Sequence, residues 1–364
     1  MSTFTSPSTD DTNRTTARTM NGTMNATMNG PRHGARNATT TQAARRPRLS
    51  GMTWLVWRQH RAAFWTVIAA TVLGVAWIAY QRGQMTDFLD AYGFPAKSLD
   101  DAEEEFKPYA GAFTSVTTGL TAIPVILGVL LGAPLFAGDL ENGTAKLIAA
   151  QSVSRNRWLA MKLGLTGLVV VPTTAALSAA FAWWWSPVKS DYVDFGWASR
   201  EFFNTTGPVP VALSLLSVVG GAAIGVLLRR TLAAMVVTLG FTVVLQAVWG
   251  SVKLSLGDIV TVTSKPVSPG SLITFPEVPR TAHWLGTSYV SGSGKLLDVT
   301  TCTEALGEEA TSACMKKADI VGASIDYIPM SQMSGMQWFG SSILFALTAC
   351  VVVFLFVWCR KRLV

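Results

Sequence analysis

Charge is scarce in this chain. Only 14% of its 364 residues are Asp, Glu, Lys or Arg, and the mean hydropathy is +0.35. That is too apolar for a water-soluble domain of this size and fits an integral membrane protein. Six long apolar runs have cores with no Asp, Glu, Lys or Arg: about Ala62–Tyr80, Phe113–Ala137, Leu163–Trp185, Val211–Leu228, Thr231–Trp249 and Trp338–Trp358. Ion-coupled carriers commonly place such groups at mid-membrane, so a carrier working alone loses ground, although backbone carbonyls at broken helices can also bind ions. Three histidines and no metal-ligand spacing leave nothing to build a His-based metal site. No HExxH or GxSxG pattern points to a hydrolase. GSGK at Gly292–Lys295 is not a phosphate loop, because Tyr289 stands where the first glycine is required and Leu296 replaces the magnesium-binding Ser or Thr. With no nucleotide-binding motif, an ATP-driven function needs another polypeptide, and the chain itself is not expected to be an enzyme. There is no secretory cleavage pattern, and the first apolar run, flanked by Arg, is expected to remain as an anchor.

The polar segments set the organisation. Residues 1–50 are rich in Thr, Asn, Ser and Arg, carry the degenerate repeat TMNGTMNATMNG and lack apolar periodicity, so a disordered cytoplasmic tail is expected. Its excess of Arg suits weak attraction to anionic lipid better than binding of nucleic acid. Met52 is a candidate start, since everything organised begins there. In MTWLVWRQHRAAFW, the aromatics Trp54 and Trp57 alternate with Arg58 and Arg61, a mixture suited to the lipid headgroup level. An interfacial helix bending into the first span is expected there, with His60 at the surface. Residues 81–110 read as an acidic, solvated loop. Arg229 and Arg230 alone separate spans four and five, which makes a tight helical hairpin. Residues 250–337 are polar and strand- and turn-like, and the last span is followed by Arg360, Lys361 and Arg362. Segments assigned to the inside total +14 and those assigned to the outside −7, together the net charge of +7. That asymmetry places both termini in the cytoplasm. The fold class is therefore an all-α polytopic membrane protein with six transmembrane helices, an interfacial N-terminal helix and a mixed extracellular segment between helices 5 and 6. Its parts are a tail (1–50), helices 1–5 (51–249), the extracellular segment (250–337), and helix 6 with a basic C-terminus (338–364).

Four cysteines are present; Cys302 and Cys314 fall in the extracellular segment, Cys350 and Cys359 in or below the last span. An oxidising exterior allows a 302–314 disulfide, the alternative being two free thiols in a loop.

The stretch Gly138–Lys162, GDLENGTAKLIAAQSVSRNRWLAMK, lies between spans two and three. Residues 144–150 fit an amphipathic helix far too short to span a bilayer, and Ser154 is placed to cap a helix starting at Arg155. The stretch reads as a foot that a soluble partner could push; an ordinary solvated loop is the plainer reading.

Three stretches carry a family resemblance. MTWLVWRQHR (Met52–Arg61) is similar to the opening connecting helix of ABC-2 type (type V) ABC transporter permeases of the actinomycete kind. GAPLFAGDLENGTAKLIAAQSVSRNRWLAMKL (Gly132–Leu163) resembles that family's join between spans two and three, with its acidic-x-Gly-Thr core. GVLLRRTLAAMVVTL (Gly225–Leu239) resembles its hairpin between spans four and five. The resemblance implies the cell-membrane permease subunit of an ATP-driven exporter. It implies pairing with a second permease subunit, identical or different, and a separate ABC ATPase that holds ATP and Mg, with no cofactor in this chain. It also implies that Asp139, Glu141, Gly143, Thr144, Ser154 and Arg155 contact that ATPase. Two other classes remain open on the residues: a membrane-anchored sensor or binding protein using its extracellular segment, and a secondary carrier.

Overall fold

The computed structural model describes residues 52–143, 154–189, 196–271, 273–302 and 307–362. Six of its helices are long and apolar enough to cross a membrane: Val56–Tyr92, Glu103–Glu141, Arg155–Trp185, Val209–Leu228, Thr231–Leu256 and Met330–Lys361. The protein is an all-α polytopic membrane protein with a small sheet between spans five and six.

Helix α1 (Met52–Tyr92) runs unbroken for 41 residues. No break separates the expected interfacial helix from the first span: the stretch holds no proline and its first glycine is Gly74, so one helix covers both. The expected acidic loop is also largely folded. Helix α1 continues to Tyr92, a 3-10 turn covers Leu99–Ala102, and α2 (Glu103–Leu127) opens with Glu103, Glu104 and Glu105 in its first turn. Carboxylates there meet the positive end of the helix dipole. Beneath them Met85, Leu89, Leu99 and Phe106 are buried together, so the acidic residues decorate a packed cap.

Span two is interrupted. A π-helical turn, Gly128–Gly132, separates α2 from α3 (Pro134–Glu141). Pro134 sits in the first turn of α3, where its missing N–H costs nothing. The turn packs against α6 (Val209–Leu228), the most enclosed of the spans, with 72% of its apolar window buried against 17% for span one. Glycines on α6 make that approach possible. A Cβ on Gly221 would stand 2.7 Å from the Gly128 carbonyl oxygen, and one on Gly225 would collide with the Ala133 carbonyl oxygen.

Span three is α4 (Arg155–Trp185), followed by the short α5 (Arg200–Thr205). After α6, Arg229 takes a left-handed conformation (φ 56°) and Arg230 is extended, so two residues turn the chain into α7 (Thr231–Val252). Then come β1 (Val260–Thr263), β2 (His283–Ser291), β3 (Leu296–Asp298), α8 (Glu308–Lys317), β4 (Ile320–Ile328) and α9 (Met333–Arg362). The strands form one antiparallel sheet in the order β1-β4-β2-β3, with β4 paired to both β1 and β2. Cys302 and Cys314 are joined by a disulfide that ties the turn after β3 to α8. Connectivity places the sheet at one end of the helices and the turn after α3 at the other.

The glycine contact gives a stability test. Gly221→Val should destabilise the purified protein by about 1–3 kcal/mol through overpacking against the π turn. Gly240→Val, where a Cβ meets nothing within 4 Å, should melt at the parental temperature. Equal melting temperatures for all three proteins would mean the close approach is not structural.

Candidate coupling site at the end of span two

Helix α3 is eight residues long, and two carboxylates at its C-terminal end tie it to three other helices. Asp139 points inward and is 4% exposed. Its Oδ2 accepts a hydrogen bond from Lys162 Nζ of α4 at 2.6 Å, and its Oδ1 accepts one from Gln59 Nε2 of α1 at 2.7 Å. Lys162 is 1% exposed and donates a second bond to the Leu135 carbonyl at 2.6 Å. Its ammonium also lies 5.6 Å from the Phe136 ring centre and 5.4 Å from that of Trp158. Each charge thus has an opposite partner, a polar neighbour and, for the cation, two aromatic faces. That is what a buried ion pair needs to offset its desolvation.

Glu141 faces the other way. Its Oε2 accepts a hydrogen bond from the backbone N–H of Thr231, the first residue of α7, at 2.8 Å. A free amide at a helix start is a natural seat for a carboxylate. After Glu141, the Asn142 side chain bonds back to the Gly138 carbonyl at 2.9 Å, and Gly143 takes a left-handed turn with φ +70°. Only glycine does this without strain.

The other residues named from sequence are spread along the same end. Thr144 and the expected amphipathic element at 144–150 lie outside the described residues. Ser154 is the N-cap residue of α4, with Arg155 the first helical position, but its hydroxyl makes no capping bond. Its carbonyl instead accepts from the Arg157 and Trp158 amides. Arg58 lies over the Trp54 ring at 5.1 Å, Trp57 packs near Phe64 and Trp65, and Arg61 is exposed. His60, expected at the surface, is half-buried against Phe64, with ring centres 5.9 Å apart.

Sequence reading missed Gln59, Lys162 and Thr231. It drew the spans as 113–137 and 163–185, so both Asp139 and Lys162 fell just outside uncharged cores. The helices run further, to Glu141 and from Arg155, and the two charges are enclosed within them. The available signal was a lone Lys in the apolar run WLAMKLGL. An ionisable residue so placed calls for a partner.

Removing one member of the pair should be worse than removing both. Asp139→Leu or Lys162→Met alone should cost about 3–5 kcal/mol, because each leaves a buried charge uncompensated. The double variant should recover much of that loss in thermal unfolding of the purified protein. A double variant no more stable than the singles would show that the charges do not act as a pair.

A family model described as ABC-2 membrane transporter related matches residues 68–253, just over half of the chain. The match takes in Asp139, Glu141, Lys162 and Thr231. No curated protein and no solved structure matches the chain. Six helices apolar enough to span a membrane and a family match running from α1 to the end of α7 agree with one another: the chain belongs to the ABC-2 membrane transporter related family and is a membrane permease component of an ABC transporter.

Proposed function

We propose that this chain is the membrane-spanning subunit of an ATP-driven exporter and that the turn following α3 receives the stroke of a separate ATPase subunit. The observation that carries this reading is the bracing of α3. A push on residues 142–154 meets a short helix joined to α1 and α4 through Asp139 and to α7 through Glu141. A solvated loop would absorb such a push; a helix held by charge-assisted hydrogen bonds passes it on. ATP and Mg belong to the ATPase, and a second permease subunit, identical or different, completes the transporter. Export as the direction follows from the resemblance of Gly132–Leu163 to exporter permeases.

The same reading puts the turn and both termini in the cytoplasm of a cell-membrane protein and the sheet outside. The charge asymmetry supports this, and the buried Asp139–Lys162 pair leaves it unchanged because its charges cancel. On a cysteine-free background, cysteine introduced at Ser268 should label in intact cells, and cysteine at Ser154 only after permeabilisation. Labelling of position 154 in intact cells would reverse the topology.

Coupling is tested in the assembled complex. Glu141→Ala removes the acceptor for the Thr231 amide, a capping loss of about 1 kcal/mol. Gly143→Pro forbids the positive φ that residue 143 adopts. Both variants should insert and assemble with the ATPase, yet lose transport-coupled ATP hydrolysis, Gly143→Pro by about tenfold or more. Parental coupled rates in both assembled variants would remove the coupling role from this turn.

A further inference from the structure

Away from the turn, spans one, two and three enclose an apolar groove of about 450 Å³. That volume is within the range of small-molecule sites. Its floor is buried: Ile78 is 1% exposed, Leu127 5% and Leu177 8%. Its lips are open: Trp77 is 55% exposed, Ile126 49% and Leu130 57%. The groove therefore opens sideways along the spans, toward the space a bilayer fills. On α1 it is lined from Ala63 to Ile78, about 22 Å at the rise of an α-helix. One leaflet's share of the hydrocarbon core is about 15 Å, so the groove is longer than the chain region of a single leaflet.

The lining holds no charged residue, and its polar side chains are four threonines and the Trp77 indole. All four hydroxyls donate their protons within their own helices. Thr66 bonds to the Ala62 carbonyl at 2.9 Å, Thr71 to Val67 at 2.9 Å, Thr173 to Val169 at 2.7 Å and Thr174 to Val170 at 2.7 Å. A bound water needs two to four polar partners, and a polar ligand needs at least one. The groove offers few: the threonine hydroxyls already donate to their own helices, and the Trp77 indole sits at an open lip. What fits is a long, flexible hydrocarbon, which gains by contact along the whole length. Small residues keep the channel narrow and unobstructed: a Cβ added to Gly119 meets nothing within 4 Å, and one added to Gly74 meets only the Leu177 side chain at 3.0 Å.

We propose that this groove is a binding site for one long acyl chain of a membrane amphiphile, held more firmly than the lipid lying against the outer faces of the protein. The face of α7 supplies the comparison, since Leu232 is 80% exposed and Val236 71% and neither lines the groove. The site stands on the groove and the six spans, and does not depend on where the ATPase docks.

The test uses the full chain in lipid nanodiscs containing a phospholipid with a photoreactive diazirine at mid-chain, with labelled peptides mapped by mass spectrometry. Labelling should be at least fivefold higher at residues 66–78 and 116–130 than at residues 232–244. Gly119→Leu, which fills open space, should lower groove labelling at least fivefold. Gly164→Leu, also a position where a Cβ meets nothing, should leave it unchanged. Melting temperatures of both variants report on folding, and if Gly119→Leu unfolds, Ala70→Leu in the same lining replaces it. Native mass spectrometry should find one retained phospholipid on the parent and on Gly164→Leu, and none on the filled variant. Groove labelling no greater than on α7, or unaffected by the filling substitution, overturns the proposal and leaves only ordinary boundary lipid.

Discussion

Two opposite charges with almost no access to solvent hold the turn end of this molecule together. An isolated carboxylate or ammonium at that depth would be too costly to keep ionised, so Asp139 and Lys162 must stay together. That requirement fixes the register of α3 against α4, and Gln59 extends it to α1. What hangs from α3 inherits the constraint: the Glu141 bond to α7 and the left-handed Gly143. An apolar contact could slide by a residue at small expense. A buried ion pair with its hydrogen bonds cannot.

Span two could not reach this arrangement as one regular helix. The π turn at Gly128–Gly132 re-aims the chain, and Pro134 starts a new helix where a lost N–H is harmless. The carbonyls of the turn are brought close to α6, which offers glycine where any other residue would obstruct. A π turn spends hydrogen-bond regularity to change direction, and such irregularities cluster at functional positions. Here the change of direction delivers Asp139 inward and Glu141 toward α7.

The six spans and the two-residue hairpin were legible in the sequence because long apolar runs and paired arginines speak for themselves. The join between spans two and three was legible as a place, from its polarity and its resemblance, but its internal wiring was not. Gln59 lies 80 residues before Asp139 and Thr231 lies 90 after Glu141; local pattern cannot pair positions so far apart. The expectation of a loop at 81–110 was wrong. It was inferred from charge, yet charged residues on one side of a helix do not end it. No breaker interrupts α1, and the buried Met85 and Leu89 carry it past the apolar run into a packed cap. The lateral groove left no trace in the sequence, since its lining reads as ordinary span.

Helix α1 has a mechanical consequence that its length alone dictates. Its 41 residues extend about 62 Å, roughly twice the thickness of a bilayer's hydrocarbon core. One end is fastened near Gln59, and the other is packed against Leu99 and Phe106. A continuous helix of that length acts as a see-saw: tilting it by about 10° around its middle swings each tip by about 5 Å, in opposite directions. A displacement imposed at one membrane surface would reappear at the other with no intervening chain of contacts, carried by a single piece of secondary structure.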